Sequence, residues 1–146
     1  MVKIVTEVQP IKKRVDGQMT GLAGEFFVAA ELLKRNLQVS VTFGNAKSID
    51  LFAINENGIR YTVQVKSVRT KNFFLIPRAG IKTDQVYVFV ILNPPGQSVD
   101  YFIASGVQLL ENELTNRFLN VLKGPGIRYK DLESFRDQWS VFESEI

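Results

Sequence analysis

Ser48-Ile49-Asp50-Leu51-Phe52-Ala53-Ile54-Asn55-Glu56-Asn57-Gly58-Ile59-Arg60-Tyr61-Thr62-Val63-Gln64-Val65-Lys66-Ser67 decides how this chain folds. Asn57-Gly58 closes a four-residue connection between two extended runs, 49–54 and 59–68, which is a strong hairpin signal. In the second run Ile59, Tyr61, Val63 and Val65 alternate with Arg60, Thr62, Gln64 and Lys66. Side chains alternate across a strand, so Gln64 and Lys66 project together from one face. In the first run a single carboxylate, Asp50, interrupts residues that otherwise favour burial. The hairpin brings that carboxylate to within a few ångströms of the opposite strand.

Upstream, Thr20 stands before a helical stretch expected from about Gly21 to Asn36. At 100° per residue Leu22, Phe26, Ala29, Ala30 and Leu33 share an apolar face, with Val28 and Leu32 on its flank. Glu25 falls inside that face, between Ala29 and Leu32. A carboxylate there is costly to bury without a partner. Two readings follow: a salt bridge to a neighbouring Lys or Arg, or a cation-binding role. Residues 1–20, with Pro10 and Asp16-Gly17, are expected to form a strand-like arm ending in a turn.

Downstream, 39–43 is a further short extended run, and Gln85 to Leu92 is a nearly continuous apolar run, as expected of a central strand buried on both faces. Pro94-Pro95-Gly96 breaks the chain, and Asp100 to Ala104 is expected to be another strand. A helix follows from Ser105, a suitable N-cap, to Arg117, and a terminal helix from Asp131 to about Phe142. The expected class is α/β, a central mixed sheet of about five strands flanked by helices. Its expected layout is a single domain: an arm over 1–19, a core over 20–115 and a helical extension over 116–146.

The bulk composition narrows the chemistry. With 146 residues, 45% of them apolar, the chain can bury a single core. It has no cysteine and no histidine, which excludes disulfides, thiolate or histidine catalysis and cysteine- or histidine-bound zinc. Catalysis has to run on carboxylates, lysine, amides and a hard metal ion. Residues 1–90 carry 13 Lys or Arg against 7 acids, and residues 91–146 carry 5 against 8. The basic half suits a polyanionic partner. No apolar run approaches the roughly 18 residues of a membrane helix. The start, 1–7, has no secretory apolar region, so a cytoplasmic protein is expected.

Taken together, Asp50, a hairpin and Gln64-Val65-Lys66, preceded by a helix carrying Glu25, form a metal-site constellation. Oxygen donors suit magnesium, which takes one or two carboxylates and completes its shell with water and phosphate. Gly21-Leu22-Ala23-Gly24-Glu25-Phe26-Phe27-Val28-Ala29-Ala30, then Ser48-Ile49-Asp50, then Val63-Gln64-Val65-Lys66, resembles the PD-(D/E)XK nuclease superfamily. The nearest flavour is its small, Holliday-junction-resolvase-like members. The likeness extends over roughly 20–115 through Tyr87-Val88-Phe89-Val90-Ile91 and 100–105. It implies a restriction-endonuclease-like core and a metal-dependent DNA endonuclease using Mg²⁺ or Mn²⁺, acting as a homodimer. Carried onto these positions, it implies that Glu25, Asp50, Gln64 and Lys66 are catalytic. Asp50, Gln64, the Val65 carbonyl and Glu25 would hold the metal.

The sequence departs from the pattern at Gln64, where Asp or Glu is usual, so the site offers two negative charges rather than three. The alternative is a decayed nuclease fold kept for DNA or protein binding. Lys12, Lys13, Arg14, Lys47, Arg69, Lys71, Arg78 and Lys82 are the candidate DNA contacts. Phe73 and Phe74, among the last of these, either stack on bases or continue the sheet.

Overall fold

A computed structural model describes residues 15–42 and 49–146. Strands β1 (Gln38–Val41), β2 (Leu51–Ile54), β3 (Arg60–Val68), β5 (Gln85–Ile91) and β6 (Asp100–Ser105) form one sheet in the order β1-β2-β3-β5-β6. A separate two-stranded ladder pairs β4 (Phe74–Leu75) with β7 (Gly126–Ile127). β3 and β5 run parallel while every other pair is antiparallel, so the expected mixed α/β sheet is the observed one.

The hairpin forms as its sequence requires. Gly58 takes φ +82°, and the Asn55 side-chain oxygen accepts from the backbone N–H groups of Asn57 and Ile59. Leu51 faces Val63 and Ala53 faces Tyr61 on the buried side. β5 lies between β3 and β6 and all seven of its residues are buried, which explains its unbroken apolar run.

Two cores flank the sheet. Val28 and Leu32 of α1 (Val15–Lys34) pack on Val63, Val65, Val88 and Val90, closed by Trp139 and Phe142. The opposite face packs Tyr87, Phe89 and Phe102 against Phe74, Leu109, Leu119 and Leu132. That second layer covers the β5–β6 half of the sheet. Beside it Phe52 of β2 stays 42% exposed, and Arg60 of β3 is exposed as well.

Several sequence expectations change. α1 begins at Val15, so Asp16-Gly17 is helical and Thr20 is a buried residue within the helix rather than its cap. Of the expected N-terminal arm 1–19, residues 15–19 are helical and 1–14 lie outside the described residues. The face of α1 turned to the sheet runs through Thr20, Gly24, Val28 and Leu32, whereas Leu22, Phe26, Ala30 and Leu33 are exposed. The helix is apolar on two sides, so hydrophobicity could not choose between them; close packing did. A Cβ at Gly24 would lie 1.7 Å from Ser67 Oγ and 2.8 Å from Ser67 Cβ, so only glycine lets α1 approach β3 this closely. Asn36, φ 65°, closes the end of α1, with Leu37 N–H bonded to the Leu32 carbonyl in a Schellman arrangement.

The later helices are shorter than expected. α2 spans Gly106–Glu111, with Ser105 as the expected N-cap in a capping box with Gln108. The 131–142 region forms two 3₁₀ segments, Tyr129–Phe135 and Trp139–Glu143, separated at Asp137, whose φ is 53°. Leu132, Phe135 and Trp139 are nevertheless buried, because short segments can turn each apolar side chain inward without one continuous helical face.

Candidate active site

α1 and the hairpin meet where Glu25 faces Asp50. α1 carries Glu25 on its sheet-facing side, one residue after the glycine that brings the helix against β3. Asp50 immediately precedes the Leu51–Val63 pair of the hairpin, and Gln64 immediately follows it. The Asp50 backbone N–H donates to the Val63 carbonyl at 3.0 Å. The Val65 N–H donates to Asp50 Oδ2 at 2.8 Å, which fixes that carboxylate across the backbone of β3.

The Glu25 and Asp50 side chains are hydrogen-bonded to each other. Burial pushes the Glu25 carboxyl up to about 7, and the charge of Asp50 and the bond to it add to the rise. The ion pairs among the described residues are Glu31 with Arg35, Asp131 with Arg128, and Asp100 and Glu133 with Arg136; neither Glu25 nor Asp50 belongs to one. No ion pair among the described residues supports the salt-bridge reading of Glu25; Lys12, Lys13, Arg14 and Lys47 lie outside them.

Gln64 supplies the next observation. Its Oε1 is buried and accepts no hydrogen bond from the described residues. An amide oxygen sealed from water costs about 1–3 kcal/mol unless something pairs with it. Two contacting carboxylates with no ion pair among the described residues, and an amide oxygen on the paired strand, are oxygen donors of the type that a hard divalent cation takes. The charge is modest: no group of three or more His, Cys, Asp or Glu that could hold a metal occurs among the described residues.

Gln64 and Lys66 pair in register with Tyr87 and Phe89 of β5, so both leave β3 on the side opposite Val63 and Val65. Lys66 is half-buried and forms no ion pair among the described residues. Ser67 Oγ, the other buried oxygen without a partner, sits against Gly24 on the α1 side. The part played by Gly24 was not legible as spacing alone, because Gly17 and Gly21 share its helix with open space around them.

Of the candidate DNA contacts, the structure describes Arg69, Lys71, Arg78 and Lys82. Arg69 and Lys71 follow the end of β3 and are exposed. Lys82 leads into β5 at the end of the sheet where β3 begins, with its N–H bonded to Tyr87 Oη at 2.6 Å. Arg78 lies exposed between them in a 3₁₀ turn, Arg78–Gly80. Lys12, Lys13, Arg14 and Lys47 lie outside the described residues. Phe73 and Phe74 part company: Phe74 is a buried β4 residue, while Phe73 keeps part of its ring in solvent.

In sequence the chain matches no protein-family model and no curated protein. In structure it is similar to a bacterial homing endonuclease, I-Ssp6803I. The TM-score is 0.56, over 86% of this chain and 91% of that one, at 16% identity. A likeness at that identity is one of fold: a mixed five-stranded sheet with helices packed against it. No helix among the described residues is long and apolar enough to cross a membrane.

Proposed function

We propose that this chain is a divalent-metal-dependent DNA endonuclease of the PD-(D/E)XK type, with Mg²⁺ or Mn²⁺ held by Glu25, Asp50, Gln64 Oε1 and the Val65 carbonyl. The observation that carries this reading is the contacting Glu25–Asp50 pair, which has no ion pair among the described residues; the unpartnered Gln64 Oε1 on the paired strand is a further oxygen donor. Fold likeness to a homing endonuclease supports it. A bound divalent ion supplies Lewis acidity, activating water and offsetting the charge that builds on phosphorus.

The protein's own residues do the rest. The Val65 N–H orients Asp50. Glu25, with its carboxyl near 7, gives up its proton when the site is charged and can accept one from the attacking water near neutral pH. Lys66 places an ammonium beside the scissile phosphate, where it orients the water and balances the phosphate charge. A duplex presents two strands, so we also propose a cytoplasmic homodimer, to be checked by sedimentation.

The test is cleavage of labelled linear, nicked and four-way-junction DNA with Mg²⁺ or Mn²⁺. Wild type should cut, and EDTA, Asp50→Ala and Lys66→Ala should each abolish cutting, by about 10³-fold or more for the aspartate. Gln64 in place of an acid and the two-carboxylate donor set favour the second reading, a decayed nuclease that binds DNA without cutting it. No cleavage under any metal, with DNA binding retained in all three proteins, selects that reading.

A further inference from the structure

Lys71, Asn72, Phe73, Arg128, Tyr129 and Lys130 line a pocket of about 350 Å³ that none of the candidate active-site residues enters. The two loops that form it are held side by side by the β4–β7 ladder, where Phe74 pairs with Ile127 and Leu75 with Gly126. A Cβ at Gly126 would lie 2.0 Å from the Phe74 carbonyl oxygen and 2.6 Å from Phe73 Cε1. Glycine is therefore what lets the Phe73 ring and its strand close against β7. Phe73 and Tyr129 are half-buried, so the rings are braced yet keep an accessible part. Lys71, Arg128 and Lys130 are exposed.

The lining has three cations and no acid. Arg128 is oriented by two hydrogen bonds to buried Asp131, at 2.9 and 3.1 Å, and lies over the Phe118 ring. Lys71 is close enough to influence Asp100 and Glu133, but Arg136 bonds both of those carboxylates, at 2.6 and 2.7 Å. The lysines keep positive charge to spare for a ligand. Braced aromatic rings ringed by cations suit a chain of phosphates whose bases are free to stack. The volume is at the small end of the roughly 300–1,000 Å³ range for ligand sites, suited to one nucleotide and too small for a duplex.

We propose that this pocket is a single-strand nucleic-acid subsite: Phe73 or Tyr129 stacks on an unpaired base while Lys71, Arg128 and Lys130 hold the flanking phosphates. It deepens the nucleic-acid reading above but does not depend on cleavage. The experiment therefore uses the full chain carrying Asp50→Ala and measures binding alone, by fluorescence anisotropy. The probes are a short fluorescein-labelled oligothymidylate and a blunt duplex of the same length, across a salt series.

Lys71→Ala with Lys130→Ala should weaken oligothymidylate binding by about tenfold or more. It should also lower the slope of log K against log salt by about 1.4, since each single-strand phosphate contact contributes about 0.7. Tyr129→Leu should weaken the same binding by about fivefold or more with the salt slope unchanged, because stacking carries no counter-ion. Duplex binding should move by less than about twofold in both. Unchanged oligothymidylate affinity in the lysine double variant, or an equal loss for the duplex, overturns the proposal. So does a parent chain that binds no oligothymidylate. Lysine side chains in solvent carry little of the fold, so the double variant stays interpretable if Tyr129→Leu loosens the second core.

Discussion

Two places among the described residues bring a pair of carboxylates together, and they resolve the same electrostatic problem in opposite ways. At the far edge of the sheet Arg136 bonds Asp100 Oδ1 and Glu133 Oε1, and Asn93 adds a bond to Asp100. Burial alone would raise the Asp100 carboxyl, but the bonds from Asn93 and Arg136 and the charges of Arg136 and Lys71 hold it below the ordinary range. Beside α1 Glu25 and Asp50 meet with no arginine paired to them among the described residues, and the Glu25 carboxyl rises to about 7. An acid pair with its own cation is a structural clamp. An acid pair without one stores repulsion that an external cation relieves.

The largest effect expected from this contrast is at Asp50. Asp50→Asn should cut divalent-metal affinity by about 100-fold or more in a calorimetric titration, and Glu25 should return toward the ordinary carboxyl range, visible by NMR titration. Metal affinity unchanged in this variant would sink the site.

Proton linkage comes next. Metal binding has to displace the Glu25 proton, so wild-type affinity should fall about tenfold per pH unit below about 7. Glu25→Gln should flatten that dependence. The metal-free fold follows the same linkage. A carboxyl raised in the folded state binds more protons there than in the unfolded chain. Its stabilisation is full below the ordinary value, 4.5, and is lost as pH rises through about 7. Asp100 has the opposite sign: its contribution is present above its ordinary value, 3.8, and is lost as pH falls. Urea unfolding across pH should therefore show Glu25→Gln removing a decline toward neutral pH, and Arg136→Met removing one on the acid side.

Gly24→Ala tests whether the uncompensated pair depends on helix position. The added methyl meets the Ser67 side chain, so unfolding free energy should drop by about 1–3 kcal/mol. DNA cleavage should fall further than stability predicts, because α1 carries Glu25. The smallest effect is at the clamp. Arg136 is half-exposed, so Arg136→Met should cost about 1 kcal/mol by chemical denaturation and leave metal affinity unchanged.

The hairpin, the buried central strand and the grouping of Gln64 with Lys66 could all be read from the sequence, because strand alternation and turn chemistry act over a few residues. The anomaly at Glu25 was visible for the same reason: it breaks a local pattern. The buried side of α1 was not, since Leu22, Phe26 and Leu33 make a second apolar row that tertiary packing leaves outward. Nor could the terminal region be read, where helical spacing at Leu132, Phe135 and Trp139 folds as two 3₁₀ turns.

The sequence by itself determined the elements, the mixed α/β class and the residue types available for chemistry. Only the tertiary structure decided which described acids form ion pairs with basic neighbours, that Gln64 Oε1 is sealed without a partner among the described residues, and that Phe73 and Tyr129 line one pocket beside the β4–β7 ladder. The physical reason is range. Propensity and periodicity are properties of neighbours in the chain. Burial, counter-ions and hydrogen-bond satisfaction belong to groups that meet only after the chain has closed on itself.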